Sequence, residues 1–170
     1  MKKSILTLIF AAVCFTSISF GQQDSTWKKW NWLIGDWAGE GSGVPGQGGG
    51  WFSLQPDLDG KILLRKNHSE YPATKDKPKI VHDDLMIVYF DYTGQPDKAI
   101  YFDNEGYTIN YTITYAEKSI IFTSDKVQSS PLFRLTYVFL DKETIGIKFE
   151  MSRDGIKFTT YTEGRCIRKK

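Results

Sequence analysis

The sequence predicts an all-β fold, an antiparallel up-and-down β-barrel of about ten strands with a short helix in front of it. Three observations carry this. Strand-like segments follow one another from Asp36 to the C-terminus, separated mostly by turn residues. Several of them alternate apolar and polar side chains with period two. No sustained helical period interrupts them.

The chain begins with the order of a secretory signal: Lys2 and Lys3, an apolar run from Ile5 to Phe15, then Ser19-Phe20-Gly21 as a small-x-small cleavage site. Residues 1–21 are therefore expected to be removed. Residues 22–170 are expected to form one barrel domain, exported and either periplasmic or secreted. The apolar run is shorter than the roughly 20 residues of a bilayer span, so no stable membrane insertion is expected after cleavage. Val13 stands before Cys14 where a lipoprotein signal wants a small residue.

The formal charge is +2 at pH 7 and falls to zero when Lys2 and Lys3 leave. That balance offers no electrostatic footprint for nucleic acid. Cys166 would then be the lone cysteine, which excludes an intramolecular disulfide and leaves stability to the core. Aromatic residues, 15% of the chain, are enough for such a core or for an aromatic-lined cavity.

In chain order, Asp24-Ser25-Thr26 can cap a short helix. Trp27, Trp30 and Ile34, with Leu33 beside them, fall at helical spacing, and Gly35 ends the run. All five tryptophans lie between Trp27 and Trp51, as expected if they cap and fill one end of a barrel. The first strand is expected over Asp36–Ser42 and the second over Gly50–Gln55. Asp57-Leu58-Asp59-Gly60 turns into a third, Lys61–Tyr71. The fourth is Asp83–Tyr92, and Thr93-Gly94-Gln95-Pro96-Asp97 leads into Lys98–Asp103. Asn104-Glu105-Gly106 precedes Tyr107–Tyr115. Ser119–Thr123, Leu132–Leu140, Thr144–Ser152 and Ile156–Ile167 complete the meander. Closing it removes the unpaired edges.

Period two assigns faces. Tyr107, Ile109, Tyr111, Ile113 and Tyr115 share one face, against Thr108, Asn110, Thr112 and Thr114. Phe133, Leu135, Tyr137 and Phe139 oppose Arg134 and Thr136. Ile145, Ile147, Phe149 and Met151 oppose Lys148 and Glu150. The apolar sets belong inside, and tyrosines among them need polar partners there. The last hairpin has two readings. A two-residue turn at Asp154-Gly155 pairs Met151 with Phe158 and puts Thr160 and Thr162 inside. A three-residue loop pairs Phe149 with Thr159 and Ile147 with Tyr161, and puts Tyr161 and Glu163 inside.

The stretch Leu33-Ile34-Gly35-Asp36-Trp37-Ala38-Gly39-Glu40-Gly41-Ser42-Gly43 resembles the opening of lipocalin-like (calycin) barrels, in which a small helix closes one end and the first strand's tryptophan plugs the floor. Two branches are nearest: nitrobindin-like barrels and uncharacterised bacterial lipocalin-like domains. The latter are also similar at Phe90-Asp91-Tyr92, Ile100-Tyr101-Phe102-Asp103 and Gly106. The nitrobindin-like branch implies a haem held by a histidine of the last strand. That position falls near Tyr161, and this last strand contains no histidine. A tyrosinate can ligate ferric haem, so the resemblance leaves haem as the minor alternative to an unidentified ligand.

The chemistry-bearing residues are sparse. With only His68 and His82, a multi-histidine metal site is excluded. His82-Asp83-Asp84 is expected to be a solvated strand start. Gly41-Ser42-Gly43 lacks the spacing of a nucleophile elbow, and Gly43–Gly50 lacks the ending of a phosphate loop, so that run is expected to be a loop at the mouth. The polar segment Pro72–Pro78, with Lys75, Lys77 and Lys79 around it, is expected to be solvated. No catalytic residue and no metal ligand is assigned. The ligand-binding residues expected are Trp37, Tyr111, Tyr137, Phe149 and Tyr161, with Glu163 and Arg165 either a polar end of the lumen or outward charges. The expected function is binding of a small, mostly hydrophobic molecule in an aromatic lumen. The rivals are an enzyme, haem-dependent or isomerase-like with Tyr161 and Glu163, and a solid barrel with an interaction role.

Overall fold

The computed structural model describes residues 25–41 and 49–170. The signal-like segment and most of the glycine-rich run lie outside these residues. A short 3-10 helix, Ser25–Trp30, leads into ten strands. They are β1 (Gly35–Gly39), β2 (Gly49–Asp57), β3 (Ile62–Tyr71), β4 (Ile80–Tyr89), β5 (Lys98–Asp103), β6 (Thr108–Ala116), β7 (Ser119–Ser124), β8 (Leu132–Phe139), β9 (Thr144–Ser152) and β10 (Thr159–Arg168). Each pairs antiparallel with its sequence neighbours, and β1 pairs with β10 to close the barrel. No helix among the described residues is long and apolar enough to cross a membrane.

The strand count and order agree with the alternation read from sequence. The ends differ where pairing overrides composition. β4 begins at Ile80, because Ile80 and Val81 complete the ladder opposite Tyr71 and Glu70. It ends at Tyr89, because the Asp91 carboxylate accepts the backbone N–H groups of Thr93 and Gln95 and turns the chain.

One end of the barrel is sealed. Trp30, Leu33 and Trp37 are fully buried there, in one core cluster with the equally buried Leu63, Val88, Ala99 and Ile145. Trp37 Nε1 donates to the Leu33 carbonyl at 2.8 Å, which fastens the helical turn to β1. Trp30 Nε1 donates to the Tyr115 hydroxyl at 3.1 Å, and Trp27 Nε1 to the Gly60 carbonyl at 2.7 Å. Arg168 locks this floor from the last strand. Its guanidinium lies 4.2 Å from the Trp37 ring centre and donates to the carbonyls of Ile34 at 2.9 Å and Trp32 at 2.8 Å. Those carbonyls follow the helix, where the backbone has no partners of its own. Gly35 makes the lock fit: its φ is +138°, and a Cβ there would collide with the Arg168 guanidinium.

The last hairpin follows neither sequence reading in full. Thr159 pairs with Met151 and Thr160 with Glu150; the register then shifts, and Thr162 pairs with Phe149. Tyr161 is the extra residue of this bulge. The turn before it is longer than two or three residues because Asp154 Oδ1 accepts the N–H groups of both Ile156 and Lys157 at 2.8 Å. From Thr162 on, the inward positions are Thr162, Gly164 and Cys166, opposite Phe149, Ile147 and Ile145.

Candidate ligand site in the barrel lumen

The interior changes character from floor to mouth. The middle layer is packed: Phe52, Tyr111, Phe122 and Tyr137 are buried, with ring centres 5.5 Å apart for Phe52–Tyr137, 5.9 Å for Phe122–Tyr137 and 6.1 Å for Tyr111–Phe122. Towards the mouth the inward residues Phe133, Phe149, Ile147, Ile109 and Tyr101 are only partly buried. On β10 both faces are exposed until Cys166. A Cβ placed on Gly164 would meet no atom within 4 Å, so open space adjoins this inward position. Gly164 stands opposite Ile147, which stands opposite Tyr137, so all three share one rung.

Two unlike walls lie on opposite sides of the barrel. The wall of β8, β9 and β10 is aromatic. Phe133 and Phe149 stack with ring centres 5.8 Å apart and planes 8° from parallel, and Tyr161 meets Phe149 edge-on at 6.2 Å. The wall of β3, β4 and β5 is polar. Arg65 Nη1 donates to Asp84 Oδ1, and both side chains are almost wholly buried. Asn67 Nδ2 donates to the other Asp84 oxygen at 2.9 Å. His82 Nε2 shares a hydrogen bond with the Tyr101 hydroxyl at 2.9 Å, and that hydroxyl donates to Asp103 Oδ2 at 3.2 Å. His82 Nδ1 lies 3.2 Å from Glu105 Oε1 on the β5–β6 turn.

Burial keeps the tyrosines of this interior neutral. It drives the Tyr101 and Tyr111 hydroxyls well above the usual phenol range and pushes Tyr137 up to about 12, although Arg65 opposes the shift at Tyr111 and Tyr137. The Cys166 thiol is pushed up to about 11 by burial and is not a nucleophile at neutral pH. Arg65 stays charged: burial pulls its pKa down, and Tyr137, Asp84 and Tyr101 together more than offset that. Two buried donors in this layer have no hydrogen-bond partner, Arg65 Nε and the Tyr137 hydroxyl.

The expected site residues divide three ways. Trp37 belongs to the floor. Tyr111 and Tyr137 line the packed layer, and Phe149 belongs to the open half. Tyr161 is 77% exposed on the rim bulge, and Glu163 and Arg165 are exposed on the outer face of β10, alternating with the inward Gly164 and Cys166. Glu163 and Arg165 therefore lie outside the lumen, while Tyr161 reaches only the edge of Phe149 from the rim, which answers the open question about the last strand and leaves Glu163 no lumen chemistry.

The residues present do not fit a haem. Tyr161 is an exposed rim side chain, the centre of the barrel is filled by Phe52, Phe122 and Tyr137, and His82 is engaged on the opposite wall. His82-Asp83-Asp84 also differs from the solvated start expected of it. Asp84 is buried against Arg65, while Asp83 faces outward to His68 at 2.7 Å.

Arg65, Asp84 and Gly164 escaped the sequence reading. Ile62 to Leu64 on β3 and Leu85 to Val88 on β4 are apolar on both faces, so period two gives no contrast from which to orient the polar residues that adjoin them. No family model matches the chain, and no curated protein matches it.

Proposed function

We propose that this protein is an exported, lipocalin-like carrier that holds a small, mostly hydrophobic molecule in the mouth half of its lumen. The observation that carries this is the open space beside Gly164, next to the half-buried Phe149 and Ile147. A small barrel with a sealed floor and an open, aromatic upper half has the shape of a ligand site. The secretory order of the N-terminus supports an extracytoplasmic role. The Gly-x-Trp opening supports the lipocalin-like kinship.

A neutral, carbonyl-free fluorescent probe, 1-N-phenylnaphthylamine, tests this directly. It should bind the native protein and brighten. Gly164→Leu, which fills the open space, and Phe149→Ala, which removes one wall, should each weaken binding. Thr112→Ala on the outer face should leave it unchanged. Binding that is absent, or equal in all variants, overturns the lumen site.

A further inference from the structure

One side of the barrel mouth holds room of its own. Between the β7–β8 loop and the end of β9 lies a half-enclosed cavity of about 540 Å³, with Lys126, Val127, Ser129, Ser130, Met151 and Arg153 in its lining. That is the size of a small-molecule site. It adjoins the aromatic wall. Met151 pairs with Phe133 across β8 and β9, and Phe133 stacks on Phe149. Apolar side chains therefore follow one another from the partly buried Phe149 to Met151 and Val127 at the rim.

Two cations line this cavity with no acid to match them. Among the described residues neither Lys126 nor Arg153 forms an ion pair. The acids beside them in sequence have other partners and do not line the cavity. Asp125 accepts from the Thr112 hydroxyl at 3.2 Å. Asp154 accepts the Ser152 hydroxyl and the N–H groups of Ile156 and Lys157. Ser129 and Ser130 add hydroxyl donors next to the cations. Ser129 does so at φ +64°, a left-handed conformation that glycine adopts more easily.

The opposite wall excludes the same charge. Its one arginine, Arg65, is paired with Asp84, while Asp103 and Glu105 follow towards the mouth. An anion is repelled there and attracted to Lys126 and Arg153. The rim also spares a charged group the cost of full burial, since Lys126 and Arg153 are both exposed.

We infer that the ligand is an amphipathic anion, with its apolar body against Phe133 and Phe149 and its anionic head in the rim cavity at Lys126 and Arg153. This rests on the lumen reading above and deepens it. The aromatic wall supplies affinity, and the two cations select the head group and set the depth to which the body enters.

Displacement of 1-N-phenylnaphthylamine by three molecules with the same ten-carbon tail tests this at neutral pH: decanoate, decan-1-ol and decyltrimethylammonium. The alcohol leaves water more readily than the carboxylate, so a lumen blind to charge favours the alcohol. The wild-type protein should instead favour decanoate. The double variant Lys126→Gln, Arg153→Gln, which alters only exposed side chains, should weaken decanoate about fivefold and leave decan-1-ol unchanged. If the probe binds but decanoate competes no better than decan-1-ol, or is indifferent to the double variant, the anionic head site falls and the lumen reading stands. If decyltrimethylammonium competes best, the head group is cationic and the inference is overturned. If no probe binds, both fall.

Discussion

At the scale of single residues, Trp37 and Arg168 hold the floor as a pair. The indole donates to a backbone carbonyl, stacks on Phe52 at 6.2 Å and lies under the guanidinium that gathers the carbonyls of Trp32 and Ile34. Trp37→Ala should therefore cost about 3–5 kcal/mol in urea unfolding, as for a large aromatic removed from a packed core. A loss below about 1 kcal/mol would contradict the floor role. The importance of Trp37 was legible from its Gly-x-Trp setting. Arg168 was not, because an arginine followed by Lys169 and Lys170 looks like a solvated charge until the strand is closed onto β1.

Among elements, the outer face of β8 and β9 carries a cluster that titrates. Glu150 is buried there under Arg134 at 2.8 Å and Lys148 at 3.1 Å, with Phe158 against the Arg134 guanidinium at 3.9 Å. The hydrogen bond from Arg134 holds its carboxyl below the usual glutamate value of 4.5. A depressed folded pKa stabilises the protein fully above the unfolded value, and that stability is lost as pH falls through the folded one. Urea titrations from neutral pH to about pH 3 should show the wild type more stable than Glu150→Gln at neutral pH, with the gap closing below the usual glutamate value. A gap that does not change with pH would remove the ion pair as its cause. The strands themselves were legible wherever one face is apolar and the other polar, as at Tyr111–Thr112 and Phe149–Glu150. They were not at β10. There the register depends on one Asp154 carboxylate and one extra residue, Tyr161, and Thr160, Thr162 and Glu163 carry no hydrophobic contrast. The lumen residues assigned to Glu163 and Arg165 therefore hung on a turn, while the buried polar residues lay on strands too apolar to orient.

For the whole molecule, nine of the ten strand ladders join neighbours in sequence, and only β1 with β10 does not. Cys166, opposite Gly39, marks that seam. Burial and the raised thiol pKa should make it react slowly with iodoacetamide in the native chain carrying Cys14→Ser, and quickly in urea. Arg168→Ala should speed native labelling; equal rates for folded and unfolded protein would show that the seam does not protect it. The seam also orders events in time. Arg168 meets the Ile34 carbonyl across 134 residues of chain. Closing such a separation costs about 2 kcal/mol more than closing a ten-residue loop. The hairpins can zip one after another as the chain lengthens, but the ring waits for β10. Until it arrives the growing sheet has two free edges, so a chain cut short before Arg168 is an open, sticky ribbon rather than a smaller barrel.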